Sequence, residues 1–332
     1  MTTGSIDVHS HYIAPAYRSA LESVGKDRIG GIPVPPWTPE LAIGFMDAHG
    51  IARQVLSVSD PGVDFLAGEA AAKLARECND YLAGVVASHP DRFSGLAVVS
   101  GNDPEAALSE IARCLERPGF AGLGLLSSYD GSYLGDPAFD PLLTELDQRH
   151  AWVMVHPTAV PTTDKPDLTI PDFMAEYPFD TTRAFLNLLV HNAFARFPGI
   201  RWHFAHGGGT IPMLAARMDV AAAHGKVLGP LLGLPEQSAD LGPESAREAL
   251  AGCWYDTALI ASEGGLQAVS AMTGTDHILF GCDWPFAGLA YPPEGDPQPA
   301  IGTLFGPNDQ EAIYRANAEK LLAGLPQQLE SA

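Results

Sequence analysis

Cysteine is scarce in this chain: Cys78, Cys114, Cys253 and Cys282 are the four among 332 residues, and no two of them stand in a CxxC-type spacing. A cysteine zinc site and a disulfide scaffold are therefore excluded, since the first needs close pairs and the second a much higher cysteine density. Positive charge is scarce as well. Nineteen Lys+Arg face 40 Asp+Glu, the net charge is -21, and no basic cluster occurs anywhere. Nucleic acid and anionic membrane surfaces are excluded as partners, because both are held by concentrated positive charge. An anionic substrate would need a local cation or a metal to offset the overall field. No apolar run approaches the ~18 residues of a membrane span, and no basic-then-apolar leader precedes Ile6. Neither a spanning helix nor a signal peptide is expected, and a reduced, cytoplasmic protein is the default.

What is present describes a packed enzyme-like chain, with 46% hydrophobic and 18% charged residues. Its length exceeds the usual limit of roughly 250 to 300 residues for one core, but closed α/β barrels run as a single domain to ~400. Eight β-rich runs read as strands: 5–10, 53–59, 93–100, 119–127, 151–157, 200–206, 253–259 and 277–283. Helical patterns lie between them, among them 104–116, 141–150, 179–197 and 212–224. The last, 308–322, opens with Asn308 as a cap followed by acidic residues. Alternation of this kind predicts parallel β/α units, and apolar runs such as "WVMV" fit a sheet covered on both faces. A single (β/α)₈ TIM barrel over 1–332 is the expected closure, with an open doubly wound sheet as the alternative. No GxGxxG follows the first strand, which counts against the dinucleotide-binding version of that alternative. Pro-rich loops are expected at 157–178 and 284–307, both leaving the C-terminal end of a strand, where barrel enzymes build their sites.

Side chains alternate faces along a strand, so the phase of each polar residue can be checked. His9 and His11 share a face of the first strand, with Asp7 in phase but deeper, either supporting them or purely structural. Trp152, Met154 and His156 share a face of the fifth, with His156 last before Pro157. On the sixth, Trp202, Phe204 and His206 align, which turns His203 to the opposite face, toward the helices. On the eighth, Leu279, Gly281 and Asp283 align. Four strands thus end in a metal-competent residue on one rim of the barrel, and this agreement points to a metal site. The remaining histidines, His49, His89, His150, His191, His224 and His277, lie on helices, in a turn or at the wrong end of a strand, and read as structural or solvated.

An HxH on the first strand with His on the fifth and sixth and Asp on the eighth resembles the amidohydrolase superfamily. The segments "IDVHSHYIAP", "MDAHGIARQVLS", "HPT", "FAHGGGTIPMLAARMD" and "FGCDWPF" narrow the resemblance to its aminocarboxymuconate-semialdehyde decarboxylase branch. "YLGDPAFDP" and "ARECNDYLA" are most similar to 6-methylsalicylate decarboxylases. The resemblance implies that His9, His11, His156 and Asp283 hold one divalent ion, Zn²⁺ or else Mn²⁺. It implies His206 as acid/base beside it, and Arg217 as an arginine reaching into a neighbouring subunit, hence a homodimer. Two departures matter. "GFAGLGLLSS" contains no lysine to bridge a second metal, and "ELAIGFMD" has no arginine before Met46-Asp47. The first argues for one ion, the second for a monocarboxylate on an aromatic ring over a dicarboxylate.

The implied activity is non-oxidative decarboxylation of a hydroxybenzoate-like acid such as 6-methylsalicylate. A metal on three imidazoles and a carboxylate keeps positive charge and open positions for the substrate's carboxylate. The proton for the ring carbon comes from Asp283 or a metal-bound water, with His206 as relay. Trp284, Phe286, Phe173 and Tyr129 are the aromatic candidates to wall the ring. The same residues would also serve hydrolysis of a small lactone, amide or ester, and a barrel that binds without turnover is the non-enzymatic alternative.

Overall fold

Eight apolar runs become eight parallel strands: β1 (Ser5–His11), β2 (Ile51–Ser57), β3 (Phe93–Ala97), β4 (Phe120–Leu126), β5 (Trp152–His156), β6 (Arg201–Phe204), β7 (Trp254–Asp256) and β8 (Ile278–Leu279). The structure is a computed structural model that describes residues 4–159 and 169–323. Each strand pairs with its neighbour in chain order. The last returns to the first: Val8 N donates to Phe280 O at 2.9 Å, Asp283 N to His9 O at 2.6 Å, and Ser10 bridges to Trp284. The sheet is therefore a nearly closed (β/α)₈ barrel, as the alternation of strands and helices predicts.

Alternation within the strands separates two apolar layers. Val8, Val55, Leu96, Trp152, Met154 and Leu279 are fully buried together and fill the barrel. Their neighbours Leu56, Ala97, Val153, Val155 and Phe280 belong to the larger core under the helices. Helix starts follow local chemistry: Thr38 accepts from Leu41 N ahead of the helix Pro39–His49, and Asp103 accepts from Ala106 N ahead of Pro104–Leu115. Among the described residues no helix is long and apolar enough to cross a membrane.

Several expected boundaries differ. The 157–178 stretch is not all loop: the helix Asp172–Val190 takes its last seven residues and carries Pro178 inside it. Packing of its buried Tyr177, Thr181 and Phe185 offsets the local cost of that proline; residues 160–168 lie outside the described part of the chain. The expected helix 179–197 breaks after Val190, where Asn192 turns left-handed at φ 54°. Asn308 is not a cap, because Gly306 holds that place with Pro307 in the first turn. The 284–307 stretch is mostly loop, with the short helix Pro299–Leu304 near its end.

Candidate metal centre

β1 delivers two histidines by departing from strict alternation. Between the pairs Asp7–Gln54 and Ser10–Leu56 it holds one residue more than β2, a bulge that leaves Val8 and His9 both facing the barrel interior. Asp7 is consequently not in phase with His9. It points away from the site and pins the bulge, accepting from His9 N at 3.1 Å, Cys282 N at 3.0 Å, Ser10 Oγ at 2.6 Å and Gln54 Nε2 at 3.0 Å. Burial pushes the Asp7 carboxyl up to about 6 against these hydrogen bonds. Its role is structural.

His156 ends β5 in the phase expected of it. β8 also keeps phase: Gly281 faces inward where a Cβ would stand 2.8 Å from His9 Cβ, so only glycine lets Asp283 follow at the rim. β6 does not. His203 points into the barrel, stacked on Trp152 with ring centroids 5.8 Å apart, and its Nε2 lies 2.9 Å from Asp256 Oδ2. Phe204, in turn, packs outward against Phe185. The expected placement of His203 toward the helices is thus reversed. His206 reaches the site because the strand ends at Phe204 and the chain turns left-handed, with φ 55° at His206 itself.

His9, His11, His156 and Asp283 each present a ligand atom within 4.8 Å of the others, and all four are buried. Each imidazole turns its other nitrogen to an oxygen. His9 Nδ1 lies 2.8 Å from Asp256 Oδ2, His156 Nδ1 lies 2.7 Å from Pro157 O, and His11 Nδ1 lies 3.1 Å from Ser57 Oγ. Such partners fix the Nδ1–H tautomer and leave the Nε2 lone pairs converging. His9 and His11 Nε2 are 3.1 Å apart, and Asp283 Oδ1 is 3.0 Å from His11 Nε2. Acceptor atoms this close, with their hydrogens on the far side of each ring, suit a cation. The quartet fits a divalent ion.

Burial lowers the His9 and His156 imidazoles from their ordinary range and favours the neutral form a ligand needs. For Asp283, burial alone would raise the carboxyl, but His11, His206 and His9 around it outweigh that and hold it far below the usual range. For His206, burial would lower the imidazole, and Asp283 Oδ2 at 3.6 Å outweighs it and raises it. Among the described residues neither ring nitrogen of His206 has a hydrogen-bond partner.

The quartet opens on a cleft of about 200 Å³ with His156, Asp283 and Ser59 at its floor. Ile29, Ile32, Phe173, Tyr177, Leu259 and Phe286 form its walls, and among the described residues no lysine or arginine lines it. Phe173 and Phe286, two of the expected substrate-wall residues, thus line this cleft; the other three candidates do not. Trp284 stacks on Phe45 with centroids 5.5 Å apart, and Tyr129 packs on Phe139 while accepting from Leu126 N at 3.0 Å. Arg217 is exposed on the helix Ile211–Ala223, outside the cleft. The sequence reading passed over Asp256, although it ends β7 as His156 ends β5. It also missed Tyr177, hidden in the Pro-rich stretch, whose OH donates to Asp60 Oδ2 at 2.9 Å.

Residues 6–324 match the family model described as Amidohydrolase. The chain belongs to the amidohydrolase family. Decarboxylase yanB of Aspergillus niger is 33% identical over 330 residues, covering 95% of this chain and 86% of that protein. The 6-methylsalicylic acid decarboxylase acuB of Aspergillus aculeatus is 36% identical over 288 residues, covering 85% and 84%. A crystal structure of an amidohydrolase II superposes with a TM-score of 0.83 at 25% identity, over 96% of this chain and all of that one. This amidohydrolase thus shares its barrel fold with that structure.

Proposed function

We propose that this amidohydrolase is a metal-dependent, non-oxidative decarboxylase of a hydroxybenzoate-like aromatic acid, 6-methylsalicylate or a close relative. The observation that carries the reading is the pairing of a metal-competent quartet with an apolar, ring-sized cleft that no cationic side chain lines among the described residues. His9, His11, His156 and Asp283 would hold the ion, Zn²⁺ in the first place and Mn²⁺ in the second, given three nitrogens and one oxygen. When bound, the ion supplies the positive charge that the substrate's carboxylate requires in this acidic chain.

The chain's own residues do the rest. Phe173 and Phe286 clasp the ring, and the apolar walls exclude water. His206, with both nitrogens free of hydrogen bonds and Asp283 3.6 Å away, hands a proton to the ring carbon that bears the carboxylate. The bond from that carbon to the carboxylate then breaks, its electron pair returns to the ring, and carbon dioxide leaves. Metal-loaded protein is expected to release carbon dioxide from 6-methylsalicylate. Turnover of lactones or esters with no carbon dioxide from any aromatic acid would instead make it a hydrolase.

A homodimer is part of the proposal. Met213, at 79% exposure, Arg217 and Val220, at 58%, share one face of the helix Ile211–Ala223, and the next helix adds exposed Val227 and Leu231. An apolar face of this kind is the usual mark of a protein contact. A reducing, cytoplasmic setting suits the four cysteines, all of them free and buried. Sedimentation of the intact protein tests the dimer, with a Val220→Asp variant expected to shift it toward monomer.

A further inference from the structure

Beneath the quartet, inside the barrel, the carboxylate behind His9 carries a second imidazole that neither the quartet nor the proposed reaction accounts for. Asp256 is fully buried and accepts four hydrogen bonds. Oδ1 takes His206 N and Ala258 N, each at 3.0 Å, and Oδ2 takes His9 Nδ1 at 2.8 Å and His203 Nε2 at 2.9 Å. Two imidazoles therefore share one carboxylate oxygen. One is a member of the quartet; the other, His203, is wholly buried and touches neither the quartet nor the cleft.

His203 is an uneconomical residue for filling space. Its Nδ1 has no partner among the described residues, and a buried polar atom without one opposes folding. An apolar side chain of the same size would lie against Trp152 with no such loss. What an apolar side chain lacks is the N–H at Nε2 that meets Asp256. Without that donor, Oδ2 would retain only His9, the buried carboxylate would be short of one hydrogen bond, and its plane would be free to turn about the axis set by Oδ1. Any such turn carries His9 with it, because Asp256 is the only hydrogen-bond acceptor recorded at His9 Nδ1 among the described residues.

We infer that His203 is a positioning residue for the metal centre: through Asp256 it fixes the orientation and tautomer of His9, and so the affinity of the quartet for its ion. The inference rests on the metal reading above and is independent of which substrate is turned over. Supporting residues of this kind typically change metal affinity ~10- to 100-fold.

The test compares His203→Gln, whose amide can place an N–H where Nε2 stands, with His203→Met, of similar size but without a donor. Zn²⁺ affinity of the intact protein is measured by chelator competition, and the melting temperature of the metal-free form is measured alongside. The Gln variant is expected to bind Zn²⁺ within about threefold of the parent and the Met variant at least about tenfold more weakly. A Met variant that folds and binds like the parent overturns the inference, as does a Gln variant as weak as Met. Should the Met variant fail to fold, the Gln variant decides alone: parent-like affinity upholds the inference and a tenfold loss overturns it. A parent that binds no Zn²⁺ overturns both this inference and the metal reading. A parent that binds Zn²⁺ but releases no carbon dioxide overturns only the decarboxylase.

Discussion

The lower and upper halves of the barrel interior are built by the same strands and obey opposite rules. Met154 and His156 are two residues apart on β5, about 7 Å along the strand, yet one packs among Val8, Val55, Leu96 and Trp152 while the other faces two imidazoles and a carboxylate. The lower half stabilises the fold, each large apolar side chain contributing roughly 1.5–3 kcal/mol on burial. The upper half opposes it. It buries Asp256 and Asp283, depresses the His9 and His156 imidazoles by desolvation, and holds His206 and Asp283 in left-handed backbone at φ 55° and 51°. The difference teaches that the rim is arranged for chemistry at the expense of stability, and the layer below it supplies the surplus.

Breaking the upper half should therefore cost function and spare the fold. The largest effect is expected for His9→Ala: bound metal well under one ion per chain and carbon dioxide release down by more than about a thousandfold. Its metal-free melting temperature should fall less than that of Met154→Ala, because the imidazole removed is itself unfavourably buried while Asp256 loses one of its four donors; an equal or larger fall would contradict the division. Breaking the lower half should do the reverse. Met154→Ala is expected to cost about 2–5 kcal/mol in denaturant unfolding, with kcat/KM of the folded protein within a few-fold of the parent. A smaller effect is expected at the cleft wall, where Phe286→Ala should raise KM ~5- to 10-fold through lost ring contact while changing kcat little.

The same division explains what could be read from the sequence. Inside a strand, period-two alternation holds, so His11, His156 and the sequence Leu279, Gly281, Asp283 announce their faces, and the eight strands themselves are plain. The rule fails where the backbone departs from regularity. The bulge in β1 rotates Asp7 out of register with His9, and β6 ends at Phe204, so counting on to His206 assigns His203 to the wrong side. Neither event has a sequence mark of its own, because a bulge and a left-handed turn are decided by neighbours such as Cys282 N and the tight turn at Gly207–Gly209. The aromatic wall was half legible for a related reason. Trp284 and Tyr129 lie near strand tips in sequence, but Phe45 and Phe139, distant or unremarkable in the chain, draw them into the core. Asp256 stands in the middle of the expected strand 253–259, so a test applied to strand ends passes it by; the observed strand stops at it.

Acidity sharpens the comparison with the smallest effect. Burial depresses the His9 and His156 imidazoles below their ordinary value of 6.5 in the metal-free protein, so the folded chain binds fewer protons there than the unfolded chain does. A group whose folded pKa is depressed contributes stability above its unfolded value and loses it as pH falls through that value. His9 and His156 therefore lower the melting temperature of the metal-free protein as pH falls from 7 to 5, by a few degrees per kcal/mol lost, against Asp7 and His206, whose raised pKa values act in the opposite direction. The apolar side chains of the lower half do not titrate, so Met154→Ala should shift the whole profile downward without changing its slope. His156→Gln removes one depressed imidazole and should flatten the profile. A slope unaltered by His156→Gln would place the acid sensitivity outside the rim and undo this part of the comparison.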